Sequence, residues 1–152
     1  MAYKALDIAK KLIRVADLES ASGGDCMTNL RLQKMLYYEQ GYHLAMFDTP
    51  LFDEDVEAWL YGPVVPSVYD HYKQYGSQIL PVETDNLEMT DDENELFCNV
   101  FDAYREFSTI GLMNKTHKES PWKIAKTTGR NSTISQDSMK KYFKTQLIDE
   151  ED

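Results

Sequence analysis

Cysteine is scarce in this chain of 152 residues: Cys26 and Cys98 are its only two. Two distant thiols without CxxC spacing make neither a disulfide framework nor a zinc site. No apolar run reaches the roughly 20 residues that cross a bilayer. The opening "MAYKALDIAKKL" mixes charge into its apolar positions and lacks a signal-peptide core. A cytoplasmic protein with no membrane partner is the expectation. Neither GxGxxG, GxxxxGKS/T, GxSxG nor HExxH occurs, which removes the familiar nucleotide, nucleophile and zinc-hydrolase readings. There is no fixed-period repeat and no low-complexity stretch.

Positive charge is missing from one long segment. No Lys or Arg stands between Lys73 and Arg105, where eight acids run from Glu83 to Asp102. From Lys115 to Lys144 the balance reverses, with eight bases against Glu119 and Asp137. The formal charge of −10 argues against direct nucleic-acid binding. "WKIAKTTGR" and "KKYFK" interleave bases with aromatics but are too short for such a footprint.

The remaining composition, 42% hydrophobic and 28% charged, is that of a folded domain able to bury a core. Leu6, Ala9, Leu12, Ile13 and Ala16 recur at helical spacing, so residues 3–18 read as an amphipathic helix, broken by "SASGGD" at 20–25. Thr28 caps a second helix running to about Phe47, the central one. "VEAWLY", 56–61, alternates as a short strand. Trp59 and Tyr61 then share one face, opposite Ala58 and Leu60. Gly62-Pro63 turns the chain, Pro66 opens a helix, and Gly76 stops it. Thr90 and Glu93 form a capping box before a stripe of Leu96, Phe97, Val100, Phe101, Tyr104 and Phe107. A helix over about 108–117 follows. Ser120 caps a short helix begun by Pro121, and a last helix starts after Ser135. The fold class is mainly α: a compact single-domain helical bundle with a minor extended or β element around 56–61. The domain covers 1–148, and 149–152 is an acidic tail.

Candidates for chemistry are few. Glu39 and His43 are four apart and share a helix face, but one carboxylate and one imidazole are too few ligands for zinc. They read first as a surface pair. Asp70 and His71 read as an exposed face. His117 reads as a helix cap or a carbonyl partner. Cys98 reads as a small core residue, and Cys26 as incidental to its loop. Tyr37 and Tyr38 are consecutive and should not both face the same core, so one should lie near the surface or at a second interface. No catalytic, cofactor-binding or metal-ligating residue is assigned.

Four stretches occur together in a recognisable order: "LRLQKMLYYEQGYHLA" at 30–45, "EAWLYGPVVPSVYDHYKQYG" at 57–76, "THKESPWKIA" at 116–125 and a terminal "KKYF". They resemble the phage-associated GepA/SocA-like proteins, the Panacea antitoxin domain, over about residues 4–145. The matching positions are Gln33, Tyr37, Tyr38, Gly41 and His43. In the second motif they are Trp59, Tyr61, Gly62, Pro63, Val64, Val65, Pro66, Val68 and Tyr69, and in the third His117, Pro121 and Trp122. Met35, Glu39 and Ser67 depart from the usual Leu, Ala and Glu. The resemblance implies a helical antitoxin without enzymatic activity that neutralises a cognate protein toxin by direct contact. One branch implies delivery of the toxin to a cellular protease instead, and a prophage protein acting on a host factor is a further alternative. A fused DNA-binding domain, which some relatives carry, is not expected within these residues.

Overall fold

The computed structural model describes residues 2–20 and 26–151. Helices α1 (Ala5–Ser20), α2 (Asn29–Phe47), α3 (Pro66–Tyr72), α4 (Asp91–Tyr104), α5 (Thr109–His117), α6 (Ser120–Thr128) and α7 (Gln136–Glu151) carry most of the described chain. A small antiparallel sheet of β1 (Val56–Trp59), β2 (Gly62–Val64) and β3 (Thr133–Ile134) has the order β2-β1-β3. The mainly helical reading holds. The expected break at 20–25 falls from residue 21 onward outside the described residues, as do the side chains of the acidic tail.

Helix α2 is the axis of the molecule. The Thr28 hydroxyl accepts from the Arg31 amide to cap it. Every residue from Arg31 to Ala45 is buried, because α1, α4, α5, α7 and β2 all pack around it. An amphipathic helix would show water one polar stripe; α2 shows none, so its polar side chains must find partners inside. The Arg31 guanidinium donates to the Arg105 and Phe107 carbonyls, both at 2.8 Å. The Gln40 amide donates to the Phe52 carbonyl at 2.7 Å and accepts from the Leu51 amide at 2.7 Å.

Gly41 lets α7 come close. A Cβ there would enter the Phe143 ring, which packs among Tyr37, Tyr38 and Tyr42. Full burial also corrects the reading of Tyr37 and Tyr38. Both are 0% exposed, since packing on all sides leaves no face of α2 for solvent between Arg31 and Ala45.

Local signals mostly act as read. Thr90 and Glu93 form the capping box of α4. Pro66 opens α3, and Gly76 ends a following 3₁₀ turn, Lys73–Tyr75, at a φ of 56°. Four details differ. Helix α1 begins at Ala5 because Tyr3 bridges to Phe52 instead. Glu119, not Ser120, stands at the N-cap of α6, and its side chain makes no capping bond. Cys98 is exposed, one position past the Leu96/Phe97 stripe of α4. The turn at 57–76 falls on Leu60 and Tyr61, because Trp59 pairs with Gly62 across the hairpin. Gly62 leaves that turn at a φ of +117°, which suits glycine. Pro63 lies inside β2, an edge strand, where its missing N–H costs no ladder bond.

Candidate functional site

The family-motif residues divide between a buried scaffold and one open groove. In the scaffold, the Tyr37 and Tyr38 hydroxyls donate to the two oxygens of Glu119, at 3.0 and 3.2 Å. The Lys115 ammonium stands 3.7 Å from the same carboxylate. Burial pushes the Glu119 carboxyl upward, while Lys115 and the Tyr37, Tyr38 and Tyr142 hydroxyls oppose it. Both tyrosines are raised in turn, by burial and then by Glu119. Tyr38 stacks on Tyr104, whose hydroxyl meets that of Tyr42 at 2.7 Å. The pair therefore anchors the start of α6 to α2.

His43 is buried rather than paired with Glu39 on a surface. Its Nδ1 lies 2.6 Å from the Thr49 carbonyl and its Nε2 2.7 Å from Glu93 Oε2. Burial raises the Glu93 carboxyl, but hydrogen bonds from Tyr3, His43 and Thr90 outweigh it and hold it at about 2. Glu39 is buried beside this cluster with one oxygen unpartnered, and burial pushes its carboxyl well above the usual range. The surface reading fails because α2 has no solvent face between Arg31 and Ala45. Asp70 and His71 are exposed, as read.

His117 stacks on Trp122, with centroids 4.1 Å apart. Burial lowers its pKa, aided by Lys34 and Lys126, while a backbone bond at Leu60 acts the other way. The Trp122 indole donates to the Trp59 carbonyl at 3.0 Å, and Pro121 sits in the first turn of α6. Together they press α6 against the hairpin.

The groove opens where the N-terminus of α2, the hairpin and α3 meet, and holds about 710 Å³. That lies within the usual range for binding clefts. Gln33, Trp59, Tyr61, Val64 and Tyr69 line it, so five of the motif residues converge here. Its floor is fixed. Gln33 Oε1 accepts from the Val65 amide at 2.9 Å, and Gln33 Nε2 donates to Asn29 Oδ1 at 2.8 Å. Asn29 Nδ2 in turn donates to the Tyr69 carbonyl at 3.2 Å. Trp59 meets Tyr69 edge-on, at 5.1 Å between centroids. Tyr61 and Leu60 at the turn are each 62% exposed, and Leu30 on α2 is 43% exposed. Tyr37, Tyr38, Gly41 and His43 lie in the core, away from this surface.

Sequence reading missed Lys73, Lys126 and Arg130 as the groove's cationic rim. The basic bias of 115–144 was the signal for Lys126 and Arg130, and it could not show that α6 abuts the hairpin. It also missed Lys34. This lysine is fully buried, donates to the Leu30 carbonyl at 3.2 Å, and is lowered by burial to about 8.

A groove with exposed aromatic walls and a rigid polar floor, and no metal-binding cluster among the described residues, has the form of a binding surface. No described helix is long and apolar enough to cross a membrane. The profile of the antitoxin SocA-like, Panacea domain matches residues 32–123, more than half of the chain. The chain belongs to this family. It is similar to Antitoxin SocA of Caulobacter vibrioides (strain NA1000 / CB15N), at 39% identity over 54 residues. That stretch covers 36% of this chain and 29% of the relative, so the match spans under a third of the relative's length. No solved structure matches.

Proposed function

We propose that this protein is an antitoxin that neutralises a protein toxin by direct contact, using the groove between α2, the β1-β2 hairpin and α3. The observation that carries this reading is the exposure of Leu30, Leu60 and Tyr61 around a floor locked by Asn29 and Gln33. Large apolar side chains held in the open raise solubility costs that a partner would relieve. A floor ordered before binding leaves less entropy to be lost on association. The buried Tyr–Glu119 and His43–Glu93 networks bond inward and support the scaffold rather than a reaction. Masking needs no catalyst, only a complementary surface. Family membership favours the same role and a cytoplasmic site of action.

The test is co-expression in a bacterial host with the neighbouring small reading frame. Toxicity of that frame alone, relieved by this protein and accompanied by co-purification, supports the reading. A harmless neighbour, or relief without a complex, overturns it.

A further inference from the structure

Resting on that reading, we infer that the groove receives an acidic segment of the partner carrying one large apolar anchor. The lining holds three cations, Lys73, Lys126 and Arg130, and no Asp or Glu. This distribution is the reverse of the chain's balance of 26 acids against 16 bases. Elsewhere Arg14, Lys140 and Lys144 pair with carboxylates. The three rim cations form no ion pair among the described residues. The nearby Glu57 carboxylate is engaged by the Trp59 indole at 2.8 Å and does not line the groove. Charge complementarity therefore calls for carboxylates on the occupant.

The walls specify the rest. Leu30, Leu60, Tyr61 and Val64 offer an apolar surface in the same groove as the cations, which a single aromatic or aliphatic side chain would cover. The Asn29–Gln33 floor spends its hydrogen bonds on the Tyr69 carbonyl and the Val65 amide. Selectivity thus falls to rim charge and apolar fit. A nucleic acid would supply anions too, but three cations in a chain of net charge −10 give it few phosphate contacts.

The experiment uses fluorescein-labelled short peptides and the full chain, followed by anisotropy at low and high salt. One peptide places a Leu-Trp pair between glutamates. A second replaces the glutamates with lysines, a third is polyglutamate, and a thymidine oligonucleotide stands for nucleic acid. The first peptide should bind at least about tenfold tighter than the other three and weaken with salt. The exposed double variant Lys73→Glu/Arg130→Glu should lose that preference with its melting temperature unchanged. Equal binding of the acidic and lysine peptides overturns the proposal, as does no binding by any probe. So does binding unchanged in the variant, or displacement of the peptide by the oligonucleotide. Growth rescue is scored separately. Rescue without peptide selectivity sinks the acidic-segment inference alone, and selectivity without rescue sinks the antitoxin reading alone.

Discussion

Replacing Lys34 with Met should stabilise this protein, although it deletes a charged residue from its central helix. The Lys34 ammonium is enclosed beneath the hairpin, with Gly62 and Thr116 close by and, among the described residues, only the Leu30 carbonyl as acceptor. No carboxylate among the described residues offsets its desolvation, so its pKa falls from 10.5 to about 8. That gap corresponds to about 3 kcal/mol of folding free energy lost at neutral pH. The sign follows from the direction. The folded chain gives up this proton before the unfolded chain does, so stability rises as pH climbs from about 8 towards 10.5. Near pH 10 the unfolded tyrosines begin to ionise while Tyr37, Tyr38 and Tyr104 stay neutral in the fold, and the gain reverses. Met keeps the volume and removes the charge. It should add about 2–3 kcal/mol at pH 7, worth several degrees of melting temperature in a chain this size. Urea unfolding of both proteins between pH 6.5 and 9.5 measures it. The variant's advantage should be constant below about pH 8 and shrink above it, since the other titrating groups are common to both proteins and cancel in the difference. A variant less stable at pH 7, or an advantage that does not change with pH, would show that Lys34 has a partner or water access that this reasoning denies.

Gly41→Ala should be destabilising by about 1–3 kcal/mol in thermal melts, although alanine normally improves a helix by about 1 kcal/mol. The added methyl group must displace Phe143. Glu93 is held at about 2 and contributes stability that is present above its unfolded value of 4.5 and lost as pH falls towards 2. Glu93→Gln should flatten that acid limb in denaturation curves. Glu39 has the opposite sign, since a raised carboxyl favours the fold below pH 4.5 and costs it stability as pH rises. Glu39→Gln should therefore unfold at a higher urea midpoint than wild type at pH 7.

Much of the fold was legible because its signals are local. Thr28, the Thr90–Glu93 box and Pro66 act on their own backbone within a turn or so, and the structure uses each as read. What failed depends on contacts far along the chain. Nothing near Tyr37 and Tyr38 announces Glu119, some eighty residues on, which receives both hydroxyls. His43 likewise finds Glu93 fifty residues away rather than Glu39 one turn away. Strand alternation placed Leu60 opposite Tyr61, but the hairpin register puts both in the turn and both in water. The groove was half visible. Its aromatic wall lies in one motif, but its cations come from α6 and from the segments after α3 and α6, and only tertiary packing brings them together.

The central claim is that this one face meets the toxin. The direct measurement compares wild type with the double variant Leu60→Asp/Tyr61→Asp in growth rescue against the product of the neighbouring reading frame and in co-purification with it, melting temperatures recorded alongside. Both side chains are exposed at the turn, so the variant should melt like wild type while failing to protect cells or hold the toxin. A variant that protects as well as wild type would contradict the account and place the contact on another surface.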